Sequence, residues 1–189
     1  MKAILLILCC LPSITWAQSA QQIEYLLVAE IATDSCYQLL TPSETSFQDL
    51  EVCGFADCRD LISYSLRLVE AAESQVELAI SESKKTFKLA KKQRCLQTRE
   101  KCRIAIENLR LARMEIEEAR QQILLIERQW LVVNESRSVS DLNASLEYSW
   151  VNSPRSYYVN TARLAILNTY DYLQIARLAI QEAQLTDCE

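Results

Sequence analysis

The sequence has no histidine, one glycine and three prolines among its 189 residues. Without histidine there is no Ser–His or Cys–His nucleophile pair and no imidazole general base. Most zinc and di-iron designs also lose a ligand. One glycine cannot build a glycine-rich phosphate loop. It also leaves too little turn chemistry for a set of hairpins, so an all-β fold is excluded. Carboxylates at helical spacing do occur (Glu70, Glu73 and Glu77; Glu115 and Glu118), but a charged outer helix face calls for the same pattern. The expectation is a non-enzymatic chain with no catalytic, cofactor or metal site.

Ala, Leu, Glu, Gln, Arg and Lys are abundant, which favours helix. The longest signal runs from Cys95 to Val133. Cys95, Cys102, Leu109, Ile116, Ile123 and Trp130 recur every seven residues, with Thr98, Ala105, Ala112, Ala119, Ile126 and Val133 three further on. No Gly or Pro interrupts this seam, so it predicts one coiled-coil-like helix, roughly 58 Å long at ~1.5 Å per residue. Such a stripe needs partner helices. The fold class expected is therefore an all-α, disulfide-linked antiparallel bundle of about four helices around this long one.

The N-terminus gives the expected compartment. Lys2 precedes an apolar run from Ala3 to Leu11, too short to span a bilayer. Thr15-Trp16-Ala17 supplies small residues for a cut after Ala17. Residues 1–17 thus read as a signal peptide, and 18–189 as a single secreted, extracellular domain. No later run predicts a transmembrane segment. The formal charge of −5 argues against general nucleic-acid binding.

Six cysteines follow the cut: Cys36, Cys53, Cys58, Cys95, Cys102 and Cys188. An even number in a secreted chain implies bridges rather than metal ligation.

In chain order, Leu26, Ala29, Thr33, Cys36 and Leu40 share one face of a first helix over about 21–40, with Thr41-Pro42 as its stop. A connection to Ala56 follows, closed by the tight segment Cys53 to Cys58. Asp57 is placed to cap the second helix, with Asp60 in its first turn. Ile62, Val69, Val76, Ser83 and Ala90 form that helix's stripe, beside Ala72 and Ala79. This stripe is out of phase with the seam from Cys95. The offset predicts a turn, and Ser81-Glu82-Ser83 is the best candidate because serines compete with helix. The alternative is one helix from Cys58 to Val133, which would go with a local Cys53–Cys58 bridge. A turn near Ser81 sets Cys58 level with Cys102. An antiparallel last helix sets Cys188 level with the space between Cys95 and Cys102. The expected pairs are then Cys58–Cys102, Cys95–Cys188 and Cys36–Cys53. The last helix starts at Ser153-Pro154 and runs to about Thr186. Its stripe of Ala162, Ala165, Thr169, Tyr172, Ala176, Ala179 and Ala183 suits close packing on the alanines of the seam.

Three features are candidate sites. Lys84, Lys85, Lys88, Lys91 and Lys92 belong to a stretch, Lys84 to Arg103, with nine basic residues and one acid. It reads as a face for an anionic polymer, lipid surface or acidic partner, or more simply as a solvated helix face. Tyr148, Trp150, Tyr157 and Tyr158 surround Pro154 and Arg155, a composition suited to a protein or glycan patch, or to the end of the bundle core. Asn134 and Asn143 sit in Asn-X-Ser sequons. The function expected is binding of an extracellular protein partner or other ligand. The second class is an amphipathic lipid or membrane-surface binding protein whose helices open onto lipid, which cross-linking cysteines would oppose.

Overall fold

The computed structural model describes residues 2–136, 150–151 and 153–186. Within them the chain forms four long helices and no strand: α1 (Lys2–Val52), α2 (Cys58–Gln93), α3 (Leu96–Ser136) and α4 (Arg155–Gln184). Each packs on its neighbours in the ring α1, α2, α3, α4, and α3 meets α4 most extensively. Cross-helix pairs fix the directions. Ser46 meets Ser65 and Tyr25 meets Lys85, so α1 and α2 are antiparallel. Arg113 meets Glu77, and Lys101 meets Glu182, so α2, α3 and α4 alternate likewise. None of the helices, within the described residues, is long and apolar enough to cross a membrane.

The heptad seam is the core of α3. Cys95, Thr98, Cys102, Ala105, Leu109, Ala112, Ile116, Ala119, Ile123, Ile126 and Val133 are all buried, and Trp130 is half-buried. The predicted stripes of α1 and α2 are buried throughout, and that of α4 except for the half-buried Tyr172. Much of this interior is alanine, so the helices approach closely and the apolar gain is spread over many small contacts. Threonine hydroxyls enter this core by bonding within their own helix. Thr33 donates to the Ala29 carbonyl at 2.8 Å, and Thr169 to the Ala165 carbonyl at 2.9 Å. Ser46 and Ser65 share a 2.6 Å bond across the α1–α2 interface.

Three local expectations are overturned. The first is the stop at Thr41-Pro42, because α1 continues through Pro42 to Val52. A proline inside a helix costs about 3 kcal/mol. Past it, Phe47 and Leu50 are fully buried, and burying each contributes about 1.5–3 kcal/mol. Continuing the helix therefore outweighs the break. The expected connection of 41–56 shrinks to Cys53–Asp57.

The second correction is the turn. Ser81-Glu82-Ser83 lies inside α2, with Ser83 in the core. The chain reverses at Arg94, which adopts the left-handed conformation (φ 60°, ψ 21°). The Arg94 N–H reaches the Lys91 carbonyl at 3.4 Å, and the Cys95 N–H reaches back to the Ala90 carbonyl at 2.9 Å. These are the two bonds of a Schellman closure, and the burial of both Ala90 and Cys95 supplies its apolar contact. The single long helix from Cys58 to Val133 is excluded as well.

Capping is the third. Asp57 precedes α2 but makes no side-chain cap bond, and Asp60 alone sits in the first turn as expected. At α4, Ser153 donates its hydroxyl to the Trp150 carbonyl, while Pro154 occupies the cap position.

The left-handed Arg94 carries a testable cost. A residue with a Cβ is disfavoured there by about 1–2 kcal/mol, offset in part by the extra unfolded-state freedom of glycine. Arg94→Gly should therefore raise stability by about 0.5–1 kcal/mol, read as a higher urea midpoint at unchanged slope. A lower midpoint would mean that the arginine side chain, not the backbone, holds the turn.

Candidate functional site

One member of the expected aromatic patch, Trp150, is part of the core. α1 ends at Val52 with carbonyls that no further helical turn can satisfy. Arg155, at the start of α4 and 6% exposed, supplies donors. Its guanidinium donates to the Glu51 and Cys53 carbonyls, each at 2.9 Å, and places positive charge at the negative end of α1. The Trp150 indole N–H joins it on the Cys53 carbonyl at 3.2 Å, under the Arg155 guanidinium at 4.7 Å. Phe55 stacks on Trp130 at 5.2 Å and meets Trp150 edge-on at 6.0 Å. Trp150 is wholly buried, so it closes the bundle core. Tyr158 is half-buried and Tyr157 is exposed beside it. Tyr148 lies outside the described residues.

The same end holds the bridge. Cys53 and Cys58 are disulfide-bonded, closing the α1–α2 connection. Cys36 and Cys102 are free and buried. This corrects the expected Cys58–Cys102 and Cys36–Cys53 pairs, and the turn position explains why. With the reversal at Arg94, Cys58 stands level with about residue 131 of α3, roughly 44 Å along the bundle from Cys102. Cys36 and Cys102 are also offset, by about 12 residues or roughly 18 Å, far beyond bonding reach. Cys95 is disulfide-bonded, and the expected Cys95–Cys188 pair lies outside the described residues. The sequon Asn134 is half-buried in the last turns of α3, and Asn143 lies outside the described residues.

The five lysines are all exposed but do not act alike. Lys85 turns toward α1. It pairs with the buried Glu82 at 2.6 Å and lies 5.1 Å from the Tyr25 ring, and the hydrogen bond to Glu82 raises its pKa. It therefore neutralises an inward carboxylate. Lys84, Lys88, Lys91 and Lys92 are in no ion pair among the described residues.

One feature escaped the sequence reading. On α4, opposite its alanine stripe, Leu164, Leu167, Ile175 and Leu178 are 59%, 46%, 45% and 52% exposed. Ile23, Leu27 and Ile31 lie exposed on neighbouring α1. The outer edge of the seam between these helices is polar, over a buried apolar floor of Leu26, Ala29, Ala179, Ile180 and Ala183. Gln181 and Gln184 donate to Glu30 at 2.7 and 2.8 Å, Arg177 pairs with Asp34 at 3.0 Å, and Tyr37 packs on Tyr170. The signal was present as aliphatics at three- and four-residue spacing on the side away from the small residues. Among the described residues no group of three acidic or cysteine side chains is arranged to hold a metal. Compared with known proteins, the chain matches no family model and no curated protein.

The free thiols give a direct check. Burial pushes both Cys36 and Cys102 up to about 12 from 9.0. The folded chain keeps protons that the unfolded chain releases near 9.0, so these groups lower stability as the pH rises from about 9 toward 12 and have no effect below. An aromatic disulfide reagent at about pH 8 should leave both thiols unmodified in the native chain and titrate both in guanidinium. Rapid native modification would contradict their burial.

Proposed function

We propose that this protein is a non-enzymatic helical bundle, exported from the cell, that binds an extracellular protein through the outer face of α4 and the adjoining surface of α1. The observation that carries this reading is the aliphatic row Leu164, Leu167, Ile175 and Leu178, solvent-facing along one side of α4. Large aliphatics gathered on one face mark an interaction surface more often than chance exposure. Asp171, exposed in the middle of the same row, and the Arg177–Asp34 pair beside it add polar groups to the aliphatic face. That mix suits a protein partner and opposes lipid, which would have to strip water from the carboxylates. The Cys53–Cys58 bridge is compatible with an oxidising compartment.

The test pairs compartment with contact. A chain secreted by expressing cells should begin at Gln18. As bait in native extracellular fluid it should retain a defined protein. Leu167→Glu with Leu178→Glu should weaken that retention by about 10- to 100-fold, the effect of losing two interface anchors, at unchanged helical circular dichroism. Undiminished retention by the double variant would remove the α4 face from the reading. Capture of neutral lipid vesicles instead, lost in the same variant, would favour the amphipathic lipid-binding class.

A further inference from the structure

The basic stretch is folded into a groove. Between Lys84 and Arg103 stand nine basic residues and one acid, against eleven basic and twenty-four acidic residues elsewhere. The reversal at Arg94 folds this stretch back on itself, so its two halves lie side by side on α2 and α3. Lys84 then shares one hollow of about 230 Å³ with Arg103, Arg110 and one acid, Glu107, floored by Phe87 and the buried Ile106. A second hollow, of about 440 Å³, is lined by Lys84, Lys85, Lys88 and Arg113 with one acid, Glu77, beside Ile80 and Ser81. Lys91 continues the α2 row one turn nearer the reversal, and Arg99 lies close to level with it on α3. From Arg99 to Arg113 the row is roughly 21 Å long.

Not every cation there is available. Arg113 pairs with Glu77 at 3.3 Å, and Arg103 is held between Glu100 and Glu107. Lys84, Lys88, Lys91 and Arg110 are exposed and in no ion pair among the described residues. Unneutralised charge of one sign, placed in a row along the bundle axis, complements a ligand with repeated negative charge along its length.

We infer that the α2–α3 groove binds a linear sulfated polysaccharide. Three observations select this among polyanions. The ring in the groove, Phe87, is half-buried at its floor against the cluster of Cys102 and Ala105 and does not project as a platform on which a nucleic-acid base would stack. The aliphatic row Leu164, Leu167, Ile175 and Leu178 belongs to α4, which faces α2 across the ring, so that row cannot enter one bilayer together with the α2 lysines, and nearer the groove the exposed Leu111 and Met114 are interspersed with Arg110 and Arg113. The cations form an extended two-sided row rather than a compact cluster around one point, as a single carboxylate or phosphate would need. This site is independent of the α4 face, and either can fail without the other.

Heparin is the probe. The chain with its disulfides intact should be retained on immobilised heparin at low salt and released as sodium chloride rises. Lys84→Gln, Lys88→Gln, Lys91→Gln and Arg110→Gln together should lower the affinity at least about tenfold and flatten its salt dependence. Single charge reversal at Lys88→Glu, which carries little folding risk at an exposed site, should lower it in the same direction. Replacing the exposed Arg67 and Arg128 by Gln, away from the groove, should leave heparin binding unchanged. Desulfated heparin, single-stranded DNA and phosphatidylserine vesicles should bind more weakly than heparin. Absence of retention at low salt, equal loss in the Arg67 and Arg128 variant, or tighter binding to DNA or vesicles would each overturn the inference.

Discussion

The left-handed backbone at Arg94 sets the register of the bundle. An antiparallel pair is levelled by the position of its reversal, and moving that reversal by one residue shifts each facing pair by two. Closing α2 at Gln93 puts Glu77 against Arg113, and Phe87 close to Cys102. It also carries Cys58 to the opposite end of the molecule from Cys102. The same reversal folds one basic stretch into two rows along a groove. The separation of Cys58 from Cys102 and the charge distribution thus follow from a reversal closed by two backbone hydrogen bonds, from Arg94 and Cys95.

The other end is held by a different balance. Where α1 stops, its carbonyls face inward and cannot be left to water. Arg155 and Trp150 satisfy them from the far side of the sequence. A buried guanidinium is tolerable because it donates to carbonyls at a helix C-terminus and lies over an indole ring. The Cys53–Cys58 bridge closes only a short loop, so its entropic contribution is small, roughly 2 kcal/mol. It fixes the connection that presents those carbonyls rather than joining distant elements.

The buried faces were legible because helical periodicity is a sum over many residues. The α3 heptads, the α2 sevens and the α4 alanines each repeat often enough that no single residue decides the reading, and all three faces are inside. The misreadings fell where one residue decides. Pro42 signals a stop, but the burial of Phe47 and Leu50 overrides it. Ser81 and Ser83 look like turn residues, yet Ser83 is simply small enough for the core. The true turn uses an arginine where a glycine is the usual signal, so local propensity gave no warning. Of the candidate surfaces, the lysine run was visible as composition, while its division into one inward-serving lysine and a groove required the register. The α4 aliphatics were visible too, but the alanine stripe on the opposite face was the stronger pattern.

The tie between Arg155 and the Cys53 carbonyl joins residues 102 apart in sequence. α2 is joined to α1 and to α3 by short reversals, so the contacts of each pair can form outward from its turn. Fixing α4 on α1 closes the longest loop in the molecule, and that entropy must be lost before the contact repays it. By this topology the helix pairs joined through short reversals gain their contacts at the lower entropic cost, and the α1–α4 seam closes at the highest.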